Sequence, residues 1–407
     1  MNSHSNKSSS AKGGTPALIA LAISAFGIGT TEFVPVGLLS SMADDLSISI
    51  TLAGLLISGY AVGVAVGAPV LTALTSKMNR KTLLLSLMVL FIIGNGVAAM
   101  STSFTLLFVA RFITAFSHGI FFSIGSTIAA DLVPAHKRAS AIAFMFTGLT
   151  VATVTGVPLG TFIGQAFGWR ATFLGVALLG VIGIIASAIL VPKNLKEAPP
   201  AKFSEQVKIL KNGKLMLAFA ITALGYGGTF VTFTYLTPML ENVTGFNAKW
   251  VSVILLMYGV AVAAGNIIGG KASDKNPLRA LMWMFALQAV TLLALTFAAP
   301  FKVTGLIVIF LMGLFAFMNV PGLQILVVSL AEKYVPSAVN VASALNIAAF
   351  NVGIAIGSSV GGIIVDNMGL IHTAWIGAVM VVGAVLLTVA LSKLESKEQK
   401  EHQAKCA

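Results

Sequence analysis

Residues 15–39 read TPALIALAISAFGIGTTEFVPVGLL. Nearly every position is Ala, Ile, Leu, Val, Gly or Phe, and one charge, Glu32, breaks the run within Thr30-Thr31-Glu32-Phe33-Val34-Pro35. About 20 consecutive apolar residues make one helix across a bilayer, so this stretch places the chain in lipid. An ionised, unpaired acid there costs on the order of 3 kcal/mol on insertion scales. An acid kept at that cost faces a bundle interior or a wet cavity and marks function by default. The structural alternative is an acid capped by the hydroxyls of Thr30 and Thr31. The rest of the chain weighs against it. Asp44, Asp45, Asp131, Glu241, Asp274, Glu332 and Asp366 lie at the ends of apolar runs, and Glu197, Glu205, Glu395, Glu398 and Glu401 lie in polar segments. Only Glu32 stands clearly inside a span, so it is the leading candidate for a proton carrier.

Composition agrees with a membrane protein. Of 407 residues, 57% are hydrophobic and 9% charged, against about 25% charged in soluble domains. Met1 to Gly14 is rich in Ser and Lys and has no apolar core, so no cleavable signal peptide is expected. The single Cys406 sits in the charged tail, which excludes a disulfide framework and a cysteine-based metal site. There is no Gly-x-x-x-x-Gly-Lys-Ser/Thr run to cradle a nucleotide. No cofactor and no metal are expected, and an ion gradient is the remaining source of energy.

Working outward, the chain divides into apolar runs at about 15–39, 50–74, 81–100, 104–129, 139–165, 170–192, 214–240, 247–270, 279–299, 303–327, 338–365 and 370–392. These predict an all-α membrane protein of twelve transmembrane helices in two pseudo-symmetric six-helix bundles. The bundles are 15–192 and 214–392, flanked by tails 1–14 and 393–407 and joined by a Lys- and Pro-rich linker at 193–213. With both termini in the cytoplasm, 21 of the 25 Lys and Arg residues fall on the inner side. The outer loops hold only Arg170, Lys249 and Lys302, and Arg111 lies within span four. This is the positive-inside pattern. The net charge of +12 therefore reports topology, and no nucleic-acid partner is expected.

The halves echo one another. Span two is followed by Thr72-Ala-Leu-Thr-Ser-Lys-Met-Asn-Arg-Lys81, and span eight by Gly270-Lys-Ala-Ser-Asp-Lys-Asn-Pro-Leu-Arg279. Spans five and eleven are both glycine-rich, with Gly148, Gly156, Pro158, Gly160 and Gly164 in one and Gly353, Gly357, Gly361 and Gly362 in the other. Small residues spaced in this way let helices approach closely. Duplicated halves are the pattern of transporters that rock about a midplane site.

With these motifs the chain resembles the major facilitator superfamily, and within it the twelve-span drug–proton antiporters. The first loop is similar to the Gly-x-x-x-Asp-Arg-x-Gly-Arg-Lys signature, with Thr72, Ser76 and Asn79 in place of the first Gly, the Asp and the second Gly, while Lys77, Arg80 and Lys81 keep the basic character. The gating charge is then expected from Asp131 or Asp274. Gly148 with Gly156-Val-Pro158-Leu-Gly160 resembles the signature of export-type members. Thr30-Thr-Glu32-Phe-Val-Pro35, Arg111 with Ser117-His118-Gly119, Ala130-Asp-Leu-Val-Pro134 and Phe167-Gly-Trp-Arg170 resemble the arabinose-efflux-permease group, which includes sugar and chloramphenicol efflux proteins. That resemblance implies proton coupling through the acid of span one and the Arg and His of span four.

The residues support this independently. Glu32 and Arg111 each lie about 7 residues, roughly 10 Å, below the outer ends of their spans. A cation and an acid at one depth are expected to pair if their helices are neighbours. His118 is two turns on from Arg111, on the same face, and an imidazole there can pass a proton. Softer candidates for substrate contact are Phe26, Thr30, Tyr60, Phe121, Tyr226, Phe230, Phe233, Asn319, Asn346, Phe350 and Asn351, with Tyr235, Phe315 and Phe317 beside them. The expected function is proton-coupled efflux of a sugar or drug-like molecule across the bacterial inner membrane by a monomer. The alternatives are a proton-coupled importer, a membrane-embedded enzyme, or a receptor that binds without flux.

Overall fold

The structure, a computed structural model, describes residues 14–75, 78–134, 137–193, 195 and 203–406. Among these residues twelve helices are long and apolar enough to cross a membrane, as the run lengths predict. In the first half they are α1 (Gly14–Leu46), α2 (Ile50–Leu74), α3 (Arg80–Met100) and α4 (Phe104–Asp131). A fifth span follows, made of α5 (Arg138–Val151), a π-turn (Ala152–Gly156) and α6 (Val157–Phe167), and then α7 (Trp169–Leu190). A short linker helix, α8 (Phe203–Leu210), leads to the second half: α9 (Gly213–Phe233) with α10 (Leu236–Asn242), α11 (Ala248–Ser273), α12 (Pro277–Ala298), α13 (Lys302–Tyr334), α14 (Val339–Asn367) and α15 (His372–Cys406). Helix starts follow their caps. Asn79, Ser103, Asn212, Asn247 and Asn276 each accept a hydrogen bond from the first turn of the helix they precede, closing N–H groups that would otherwise have no partner.

Helix α15 does not stop at the membrane. It runs on to Cys406, and Glu395 and Glu398 in the extension ligate Lys214 of α9 and Lys333 of α13, with the Tyr334 hydroxyl between them. What reads as a charged tail is in part a clasp across three helices of the second half. The lipid-facing stripes are apolar, as on α7, where Leu174, Leu178, Ile182, Ile185 and Ile189 are all exposed.

The halves meet along α2 against α14 and along the fifth span against α11. Side-chain hydrogen bonds between them lie at the end away from the termini. Thr51 Oγ1 on α2 is 2.6 Å from Asp366 Oδ1 and 3.2 Å from the Gly362 carbonyl on α14. Gln165 Nε2 on α6 donates to the Ala248 carbonyl on α11 at 2.8 Å. At the end bearing the termini, the ion pairs of Arg80 with Asp131 and of Lys214 with Glu395 each lie within one half.

Candidate functional site

Glu32 lies in the interior of α1 with 8% of its surface exposed. Neither neighbouring hydroxyl caps it: Thr30 Oγ1 donates to the Phe26 carbonyl at 2.8 Å, and Thr31 Oγ1 donates to Asn95 Oδ1 on α3 at 2.6 Å. The capping arrangement is therefore not made. His118 on α4 approaches it, with Nδ1 3.9 Å from Glu32 Oε2. The Tyr60 hydroxyl on α2 is 3.2 Å from the same Nδ1.

Arg111 is buried one helical face away, 2% exposed. The expected ion pair with Glu32 is not made. Nε donates to the Leu56 carbonyl at 3.0 Å and Nη1 to the Thr31 carbonyl at 3.1 Å, while Nη2 is buried without an acceptor. The guanidinium carbon lies 4.7 Å from the Tyr60 ring centre and 5.8 Å from that of Phe173. The expected match in depth nonetheless holds, since Arg111 reaches the residue next to Glu32. It settles on main-chain carbonyls because they are strong acceptors that lipid cannot satisfy.

Phe33, the residue after Glu32, carries α1 into the second half. Its ring centre is 6.2 Å from Phe230, 6.5 Å from Phe233 and 6.5 Å from Phe317. Tyr226 sits 5.0 Å from Phe230, 5.4 Å from Phe317 and 4.9 Å from Phe350, and Phe233 stacks on Tyr258 at 4.9 Å. The candidates Tyr226, Phe230, Phe233 and Phe350 are thus one cluster, and it faces the seam beside the buried acid. Phe121 is fully buried in the core of the first half, edge-on to Phe122, and Phe26 is half-buried on α1.

The three asparagines separate. Asn346 is locked, accepting from Thr222 and donating to Gln324 at 2.8 Å each. Asn319 donates to Gln288 and to the Ala316 carbonyl, and Asn351 to the Ile347 carbonyl, each leaving its side-chain oxygen buried without a donor.

The glycines of the fifth span bring it onto α1. A Cβ on Gly148 would strike the Ala22 carbonyl, one on Gly156 would strike Thr30 Oγ1, and one on Gly160 would come within 2.6 Å of Val34 Cγ2. Pro158 opens α6 in the first turn, where its missing N–H is tolerated. The π-turn before it presses on α11: a Cβ on Gly259 would meet the Thr153 carbonyl at 2.7 Å.

Among the gating candidates, Ser76 and Lys77 lie outside the described residues. Arg80 pairs with Asp131 at 2.5 Å within the first half. Lys81 is buried and donates to the Ala188 and Val191 carbonyls at 2.7 and 2.6 Å, closing the end of α7. Asp274 is exposed and makes no ion pair among the described residues. Sequence reasoning passed over Phe33, Tyr258, Asn95 and Gln288. The signal for Phe33 was its place beside Glu32; for the others, the contacts that single them out come from distant parts of the chain.

Residues 21–345 match the Major Facilitator Superfamily. The chain belongs to that superfamily. It is 61% identical over 390 residues to the MFS-type transporter YtbD of Bacillus subtilis, covering 96% of this chain and 98% of the relative. It is 39% identical to the inner membrane transport protein YdhP of Escherichia coli K12, covering 94% and 97% of the two, and 34% identical to the putative transporter AraJ of the same organism, covering 93% of each. Among solved structures it is similar to a bacterial homologue of the human lysosomal transporter Spinster, with a TM-score of 0.75 and 16% identity over 92% of this chain and 96% of that one. This major facilitator is a multi-pass membrane transporter of small solutes.

Proposed function

We propose that this transporter exports a small molecule, a sugar or a drug-like compound, in exchange for protons. The carrying observation is Glu32: a buried carboxyl that makes no ion pair with Arg111, set 3.9 Å from a histidine and next to an aromatic cluster shared by both halves. Whether that carboxyl holds a proton depends on how much water reaches it and how near the guanidinium comes. Water access changes when the halves rock, because Phe33 beside Glu32 packs on the second half. With the termini in the cytoplasm, as the Lys and Arg distribution favours, the hydrogen bonds of Thr51 and Gln165 lie at the outer end, and substrate enters from within. Displacement of the Glu32 proton by substrate, and its return from outside, couples export to the gradient. The glycine-lined contact of the fifth span with α1 favours this direction through its likeness to the export-type signature. The site lies between the halves of one chain, so a monomer suffices, in the bacterial inner membrane.

The test is Glu32→Gln in liposomes with an imposed proton gradient, screened with radiolabelled sugars and antibiotics. The amide keeps the size and cannot titrate. Gradient-driven flux in the wild type that vanishes in the folded variant is the expected result. Undiminished proton-driven flux in the variant refutes Glu32 as the carrier.

A further inference from the structure

Pro35 stands four residues after Thr31 inside α1. Proline has no N–H, so the helix bond that would run from residue 35 to the carbonyl of residue 31 is missing. A carbonyl left open at membrane depth needs another donor. Arg111 is that donor, with Nη1 at 3.1 Å. Such filling is not automatic. Pro321 opens the Phe317 carbonyl of α13 in the same way, and no side chain donates to it among the described residues.

Thr31 and Glu32 are consecutive, so the cation that fills the proline's gap sits beside the one acid buried in a span. Two of its nitrogens are held by carbonyls, and Nη2 is buried without an acceptor. A free N–H beside a carboxyl that the guanidinium does not engage suits a neutral carboxylic acid. An ionised carboxylate would draw the guanidinium away, since a charge-assisted hydrogen bond is roughly twice as strong as a neutral one.

We infer that Pro35 is a positioning residue of the proton site: by opening the Thr31 carbonyl it gives Arg111 a second resting place, and Arg111 passes between that carbonyl and the Glu32 carboxylate as the proton arrives and leaves. The inference rests on Glu32 as the carrier. When Glu32 ionises, Arg111 turns to it and releases the Thr31 carbonyl, so the tie between α1 and α4 passes from the main chain of α1 to the Glu32 side chain. The proton step is thereby joined to the packing of the helix that carries Phe33 into the seam. The titratable and charged groups around the acid are Arg111 and His118 from α4, Tyr60 from α2, and Tyr226 from the second half, with Tyr258 beyond them on Phe233. The described charges of the fifth span and α7 stand at helix ends, at Arg138 and Arg170.

Pro35→Ala restores an N–H that can take the Thr31 carbonyl, and alanine favours the helix. The readout is infrared difference spectroscopy of the full chain in lipid vesicles, following the protonated-carboxyl band that Glu32→Gln removes. In Pro35→Ala the pH midpoint of that band is expected to move toward acid by about one unit, about a tenfold weaker hold on the proton, because Arg111 is left with Glu32 alone. Pro35→Gly restores the same N–H and is expected to move it likewise. In an Arg111→Gln background, Pro35→Ala is expected to leave the midpoint where Arg111→Gln puts it. An unmoved midpoint in Pro35→Ala, or an equal displacement with and without Arg111, overturns the role of Pro35 while leaving Glu32 as carrier. A wild-type spectrum with no band sensitive to Glu32→Gln overturns both.

Discussion

Thr51→Val cuts the tie between the halves at the end away from the termini. The hydroxyl has one hydrogen to give and two acceptors in reach, Asp366 Oδ1 at 2.6 Å and the Gly362 carbonyl at 3.2 Å, so the carboxylate takes most of it. A bond to a charged acceptor contributes about 1.5–3 kcal/mol when buried. Asp366 is exposed, water competes for it, and about 0.5–1 kcal/mol remains. Valine keeps the methyl that packs on Gly362 and leaves Asp366 free to hydrate, so the folded state suffers little. A change of that size raises the population open at this end by about two- to fivefold. Spin labels at Thr102→Cys and Phe301→Cys, in a Cys406→Ala background, report the separation of the two halves there by double electron–electron resonance. Thr51→Val is expected to enlarge the long-distance population, and Thr51→Ser, which keeps the hydroxyl, to resemble wild type. Equal distributions in wild type and Thr51→Val, or a serine variant as open as the valine, refute the hydrogen bond as the tie.

Two further outcomes follow from packing and capping. Gly156→Leu drives a side chain into Thr30 at the level of Glu32; overpacking of this kind costs about 1–3 kcal/mol. Initial flux in liposomes should fall at least about tenfold in a protein that still elutes as a single species, and undiminished flux would show that span five can stand off from α1. Lys81→Met removes both donors from the last carbonyls of α7, a loss of about 1–2 kcal/mol that thermal unfolding in detergent would register; an unshifted Tm would mean that other groups satisfy those carbonyls.

The spans were legible because lipid imposes one rule everywhere: a bilayer-length apolar run must be a helix. Glu32 was legible for the same reason, as the exception to its run. Arg111 and His118 could be placed beside it by counting along α4. What counting could not supply was the choice of partner. A guanidinium accepts either a carboxylate or a carbonyl, and the carbonyl it found was opened by a proline on another helix. Tyr60, a candidate substrate contact, lies against His118 and Arg111, neighbours that its place on α2 does not disclose in the sequence. Glu395 and Glu398 read as solvated tail, since nothing local shows that α15 brings them to Lys214 from 181 and 184 residues away.

The π-turn in the fifth span changes how its glycines are to be counted. Gly148 and Gly156 are eight residues apart in the chain. On a regular α-helix that spacing turns them about 80° from one another. A π-turn absorbs one residue, so the pair behaves as if seven apart and the angle closes to about 20°. That is why both can press on α1, at Ala22 and at Thr30. Alignment of such chains by spacing alone would therefore mislead. A relative with the two glycines seven apart and no π-turn presents the same face, while one that keeps the eight-residue spacing and straightens the helix does not.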